Sequence, residues 1–371
     1  MRDLSTAAGP AAGVADGHSV GPQLRGTARA LARAHDVLLL DLDGVVYAGP
    51  RALPGAADRL ARCRQAGARL GYVTNNASRT PQAVAEQLLD LGVEASEEAV
   101  VTSAQAAARL LAERLPDGSR VLVVGGEGLV AALIEQGLEP VWSADDDPAA
   151  VAQGFHPSVG WAQLAEGAYA LATGVVWVAS NLDRTVPTER GTAPGNGTLV
   201  EALRTATGRE PVVAGKPEPA LFDEAIRRLG GRLPLVVGDR IDTDIAGARR
   251  SGLPSLLVLT GVSTLADVCT AQGEDRPDYV APDLEGLLLE HPEVRRHGAS
   301  FGCAGATATI DGSTPSLVLA GAGAPAVLAG LRALVAACWV HDDPGSLDLG
   351  PATQTLHEMM AVAPRRSDAR Q

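Results

Sequence analysis

Asp41 and Asp43 stand one residue apart at the end of an apolar run, Val37–Leu40, and Gly44 follows at once. Two carboxylates at that spacing, with a glycine to turn the chain away, can share one small site. Comparable polar ends recur after other short apolar runs: Thr74 and Asn75, then Lys216, then Asp239 and Asp244. Gathering four carboxylates at one place is unfavourable unless a cation is present. Oxygen donors without His or Cys suit Mg²⁺, which keeps waters and bridges phosphate. A hydroxyl, backbone amides and a lysine are what bind the remaining phosphate oxygens. The set reads as metal-assisted phosphoryl transfer with a carboxylate nucleophile. For Asp41 to Gly44 taken alone, the plainer alternative is a strand end followed by an Asp-Gly turn.

Those polar ends must lie along one sheet edge. Val37–Leu40 has the length of a strand buried on both faces of a parallel sheet. In open α/β folds ligands bind just past the carboxyl ends of such strands. After Pro54-Gly55 comes an amphipathic helix that stops near Gly67, then a strand at 70–73. Thr80 and Pro81 suit the N-cap and first position of a helix ended by Gly92, and 102–114 reads as another. This β-α-β-α rhythm predicts a doubly wound parallel sheet. From Arg120 a fresh unit begins, with strands at 121–124 and 175–179 and helices at 128–136 and 161–172. The GGEG at 125–128 lacks GxGxxG spacing and reads as a tight turn. The polar stretch 181–197 reads as a long functional loop. Runs at 212–214, 235–237, 256–259 and 279–280 return to the rhythm of the first sheet. Past His291 a hairpin around Asp311-Gly312 precedes an apolar helix at 326–340, and the chain beyond Ser346 reads as a frayed tail.

With 371 residues the chain has room for two or three domains. Lys plus Arg number 31 against 44 Asp plus Glu, a net charge of −13, which argues against nucleic acid or an anionic membrane as partner. Cys63, Cys269, Cys303 and Cys338 show no CxxC spacing. Buried thiols in a reducing compartment, and hence a cytoplasmic protein, are expected. Residues 1–34 hold no apolar run of signal-peptide length and read as a loose tail with a helix at 23–34. The apolar segment 317–340 is broken by Gly321, Gly323 and Pro325 and contains Arg332. It reads as strand, turn and buried helix, not as a membrane span.

Taken together, DLDGVVY, VTNNASR, GKP and GDRIDTDIAGA resemble motifs I to IV of the haloacid dehalogenase superfamily of phosphatases, over roughly residues 36–287. DxDGVxY with TNN is similar to subclass IIA, the p-nitrophenyl-phosphatase-like group. The resemblance implies a Rossmann-like α/β core at 35–117 and 212–290, with a C2-type α/β cap inserted at 118–211. A flexible tail at 1–34 and a small α+β extension at 291–371 complete the expected organisation. Asp41 would attack phosphorus; Asp43 would protonate the leaving alcohol, then activate water, and lend its backbone carbonyl to Mg²⁺. Thr74 and Asn75 would hold phosphate, and Lys216 would neutralise Asp41 and the transferring group. Asp239 would bind the metal, with Asp244 a ligand or just behind one, and Asp242 would face solvent.

An acid at Asp43 favours a phosphatase over a dehalogenase, because halide leaves without a proton and an alkoxide does not. SNLDRTVPTERGTAPGNG resembles the family's substrate loop, which implies that Asp183, Arg184, Val186 and Arg190 line the pocket. HPSVGW and the extension past His291 resemble actinobacterial glycerol 3-phosphate phosphatases, whose extension is partly acetyltransferase-like. No acyl-CoA pyrophosphate loop is evident here, so a packing role is expected for it. The expected substrate is a small phosphorylated metabolite, glycerol 3-phosphate first, in a protein without membrane insertion; a homo-oligomer is compatible with this. The alternatives are a nucleoside monophosphate, phosphoglycolate or pyridoxal phosphate phosphatase, or a non-catalytic phosphometabolite sensor. The sensor would have no use for the acid–base residue Asp43.

Overall fold

Val37–Leu40 is buried along its whole length and lies inside a six-stranded parallel sheet. A computed structural model describes residues 24–188 and 190–362. The sheet runs Tyr279–Ala281, Ser255–Val258, Pro234–Gly238, Val37–Leu40, Arg69–Thr74, Val100–Thr102. Numbered along the chain this is the doubly wound order 3-2-1-4-5-6, read from the far edge. The direction of winding reverses between Val37–Leu40 and Pro234–Gly238, which pair with Leu40 opposite Val237. Ligands bind at such switch points because the loops diverge there and leave a crevice. Asp41 follows one of these two strands and Asp239 the other.

The inserted segment builds a parallel sheet of its own, Val212–Val213, Val176–Ala179, Ala150–Gln153, Arg120–Val124, Glu139–Val141. The run at 212–214 was expected in the first sheet; Val212–Val213 instead forms an edge of the second, and the Ala214 N–H continues that pairing to Ala179 O at 2.9 Å. Helix Ser103–Ala112 lies between the two sheets. It starts on a capping box, Thr102 with Gln105. Its small side chains (Ala104, Ala106, Ala107, Ala108) join Val37, Leu39 and Val236 of the first sheet and Val121, Val123 and Ala152 of the second in one apolar cluster. Alanine at these positions lets the two sheets approach closely and makes their packing continuous. The GGEG turn sits on this seam. Gly126 precedes helix Glu127–Glu135, and a Cβ on Gly128 would lie 2.6 Å from the carbonyl oxygens of Ala77 and Arg79.

Five further expectations are revised by the structure. The helix expected at 23–34 shortens to Leu31–Ala34. Nor are residues 24–34 a loose tail: the Arg25 N–H bonds Asp278 O at 2.8 Å, Thr27 bridges His291, and Leu24 and Leu31 are buried. Residues 1–23 lie outside the described residues. The polar loop at 181–197 contains a hairpin, Thr185–Thr188 with Gly191–Pro194. Past His291 the sheet has four antiparallel strands, Arg295–His297 and Ser300–Cys303 preceding the expected pair Ala306–Asp311 and Thr314–Leu319. The tail expected to fray carries helix Gly350–Val362, which buries Ala352 and Leu356. Among the described residues no helix is long and apolar enough to cross a membrane. The apolar segment ends instead as the buried helix Ala324–Trp339.

Candidate active site

The strand ends bring Asp41, Asp239 and Asp244 together, with a carboxylate oxygen of each within 4.8 Å of the others. Lys216 reaches in between them: its Nζ lies 2.5 Å from Asp41 Oδ1 and 2.7 Å from Asp244 Oδ1. The side chains of Lys216 and Asp244 are 3% and 1% exposed, while Asp41 keeps 15% open toward the crevice. One ammonium therefore bonds two of the three gathered carboxylates. Burial pushes the Asp41 carboxyl up to about 7, with Lys216 pulling the other way and Asp244 and Asp239 adding to the rise. Burial and then Asp244 push Asp239 up to about 6, against the Val262 N–H. Burial alone would depress the Lys216 ammonium; Asp244 and Asp41 more than reverse this and raise it. A divalent cation would relieve the surplus charge. Asp239 Oδ1, buried and without a hydrogen-bond partner among the described residues, is a free hard donor for it. The donors fit Mg²⁺.

The reading of four gathered carboxylates needs one correction. The Asp43 side chain is exposed and lies outside the trio, because Gly44 turns the chain outward at φ +84°. Asp242 likewise faces solvent, paired with Arg240 at 2.7 Å. A Cβ on Gly44 or on Gly261 would collide with the Asp239 carboxylate, so both loops close on that side chain because they lack one.

Loop 260–263 forms a collar that the sequence reading did not single out. The Val262 N–H donates to Asp239 Oδ2 at 2.7 Å and the Ser263 N–H to Asp239 O at 3.0 Å. Thr260 Oγ1 donates to Gly44 O at 2.6 Å. The available signal was Thr260-Gly261 straight after an apolar strand, but the Asp239 contacts are made by backbone N–H groups, which side-chain identities do not reveal.

Thr74 ends its strand buried, and its Oγ1 accepts from the Asn76 N–H at 3.1 Å. The Asn75 amide is committed elsewhere than to an open phosphate site. Its Oδ1 accepts from the Lys216 N–H at 2.8 Å, and its Nδ2 donates to Lys216 O at 3.1 Å and Asp183 Oδ2 at 3.2 Å. Asn75 thus places Lys216. Asn181, also missed, clasps it from the inserted unit, Nδ2 to Asn75 O at 2.6 Å, while its own carbonyl accepts from Asn196 at 2.8 Å.

Of the four residues expected from the substrate loop, Asp183 touches the core through Asn75. Burial raises its carboxyl, opposed by the Asn75 hydrogen bond and the Arg240 charge. Arg184 is exposed, Val186 is half-buried in the first hairpin strand, and Arg190 is exposed at the hairpin turn.

Comparison with known proteins gives the family of the chain. A haloacid dehalogenase-like hydrolase model matches residues 38–139, and a second model of the same kind matches 213–287. The D-glycerol 3-phosphate phosphatase of Mycobacterium tuberculosis is 52% identical over 259 residues, 70% of this chain and 72% of that one. The glycerol-3-phosphate phosphatase of Gallus gallus is 39% identical over 71% of this chain and 94% of its own. A crystal structure of glycerol phosphate phosphatase from M. tuberculosis in complex with magnesium superposes with a TM-score of 0.78 at 43% identity, covering 89% of this chain and 99% of that one. The chain belongs to the haloacid dehalogenase-like hydrolases. Within them its relatives are phosphatases, glycerol 3-phosphate phosphatases among them.

Proposed function

We propose that this protein hydrolyses a small phosphate monoester, glycerol 3-phosphate first among them, with Mg²⁺ and through an aspartyl-phosphate on Asp41. The observation that carries the reading is the Asp41 carboxylate at the switch point, held by Lys216 beside Asp239 and Asp244. The Asp41 carboxylate attacks phosphorus as the bond to the ester oxygen breaks. Asp43, exposed at the mouth two residues on, gives its proton to the departing alkoxide. The same carboxylate then takes a proton from the water that attacks phosphorus, releasing phosphate and restoring Asp41. Lys216 neutralises charge that builds on the transferring group, and Asn75 keeps it in place. Mg²⁺, held by Asp41, Asp239 and Asp244 with the Asp43 carbonyl, would supply the remaining neutralisation. The substrate assignment is supported by the names of the mycobacterial and avian relatives. Four free, buried cysteines suit a reducing cytoplasm, where we place the enzyme.

Asp43→Asn is expected to slow hydrolysis of glycerol 3-phosphate by about 10²–10⁴-fold, the usual worth of a general acid and base. Transfer of the phosphoryl group from p-nitrophenyl phosphate should suffer less, because p-nitrophenolate leaves without a proton. Equal losses in burst-phase kinetics for both esters would count against Asp43 as the acid. The reading as a whole is tested by kcat/KM for glycerol 3-phosphate, phosphoglycolate, pyridoxal phosphate and a nucleoside monophosphate. We expect glycerol 3-phosphate to lead, excess chelator to silence every substrate, and added Mg²⁺ to restore them. Turnover that survives chelation would refute the metal assignment; a lead by another ester would move the substrate.

A further inference from the structure

The C-terminal extension packs against the back of the segment that carries Asp239 and Asp244 and against the helix that follows the collar. Ile245, one residue past Asp244, is buried in the same apolar cluster as Leu331, Val335 and Trp339 of helix Ala324–Trp339. The collar 260–263 runs straight into helix Leu265–Thr270. Trp339 grips that helix: its Nε1–H donates to Val268 O at 2.7 Å in a buried contact. Arg276 locks the tryptophan from the other side, its guanidinium 4.8 Å above the ring and its Nη2 donating to Trp339 O at 2.8 Å. A continuous path of packed and hydrogen-bonded groups therefore links the extension to both Asp239 oxygens named above: Trp339, Val268, Thr264, then the Val262 and Ser263 amides.

We propose that helix Ala324–Trp339 is a working part of the metal site, with Trp339 a positioning residue that holds the collar around Asp239 in its metal-binding geometry. This rests on the reading that Asp41, Asp239 and Asp244 hold Mg²⁺. A ligand held on a rigid, supported loop binds without first being ordered, whereas a loosened collar must be ordered at the moment of binding. The extension thus does more than cover apolar surface.

The test uses the full chain and two variants. Trp339→Phe keeps an aromatic ring and loses the N–H donor. Leu356→Ala weakens the extension at its other helix, far along the chain from the collar. Mg²⁺ binding is measured by titration calorimetry on each folded protein, alongside Mg²⁺ activation of p-nitrophenyl phosphate hydrolysis and KM at saturating metal. The expected result is a Kd for Mg²⁺ about 3- to 10-fold weaker in Trp339→Phe, the range one hydrogen bond can shift. KM at saturating Mg²⁺ should stay within about twofold of wild type, since saturating metal restores the geometry. Leu356→Ala should lower the melting temperature and leave the Mg²⁺ affinity alone. Equal Mg²⁺ affinity in all three proteins would overturn the coupling while leaving the metal site intact. No Mg²⁺ binding by the wild type would overturn the metal reading and the coupling with it. If Trp339→Phe does not fold, Arg276→Gln removes the second grip on the same ring and reads the same shift.

Discussion

Asp41→Asn is expected to abolish turnover of every phosphate ester, by about 10⁴-fold or more, the scale seen when a nucleophile is removed. The amide is isosteric but cannot form the acyl-phosphate. The same substitution should not destabilise the metal-free fold. Burial and two neighbouring carboxylates raise the Asp41 pKa in the folded state from 3.8 to about 7. A raised carboxylate works against folding as pH climbs from its unfolded to its folded value. Removing the charge should therefore hold or raise the melting temperature in chelator at neutral pH, and leave it unaltered near pH 3. The Mg²⁺-induced rise in melting temperature should shrink, since one ligand oxygen is lost. Robust hydrolysis by freshly purified Asp41→Asn protein would remove Asp41 from the chemistry.

Lys216→Gln should injure both activity and stability. The ammonium is the shared partner of Asp41 and Asp244 at 2.5 and 2.7 Å, and its side chain is 3% exposed. Breaking a buried pair by deleting one partner costs about 3–5 kcal/mol, because the other charge is left uncompensated. Here two are left. The Lys216 pKa is raised by folding, so its contribution is at full strength below the unfolded value of 10.5 and fades only as pH rises past it. The loss should thus be evident at pH 7 in denaturant unfolding with chelator present. At low pH, where the carboxylates protonate, the deficit should narrow. Loss of kcat should reach at least about 10²–10³-fold, as for other groups that meet developing charge. A variant that unfolds at the wild-type denaturant concentration in chelator at pH 7 would show that the pair contributes nothing.

The chemistry of this site was legible because it is local. Asp41 and Asp239 each follow directly on a short apolar strand of the first sheet, and strand length with side-chain type suffices to place these two at one sheet edge. Partner choice was not local. Val212–Val213 is a two-residue strand with no periodicity of its own, and its membership of the second sheet is decided by Ala179 across the gap. The hairpin Thr185–Thr188 with Gly191–Pro194 shows no apolar alternation, since among its described side chains Val186 and Ala193 alone are half-buried and the rest are exposed. Arg295–His297 is exposed at all three positions and reads as loop for the same reason. The collar at 260–263 and the clasp of Asn181 on Asn75 act through backbone groups, one hydroxyl and one amide, at places where residue types alone look like ordinary turns. Among the described residues, helix Gly350–Val362 buries Ala352 and Leu356, too few to show a stripe.

The central claim is that phosphate passes through Asp41. Asp43→Asn protein, in which release of the phosphoryl group is slowed, can be mixed with excess p-nitrophenyl phosphate and Mg²⁺ and quenched in acid. Intact mass and peptide mapping should then show one added phosphoryl group, labile to base, on the peptide that contains Asp41. A burst of p-nitrophenolate matching the enzyme concentration should accompany it. Hydrolysis with no covalent adduct, or an adduct on a peptide lacking Asp41, would contradict the account.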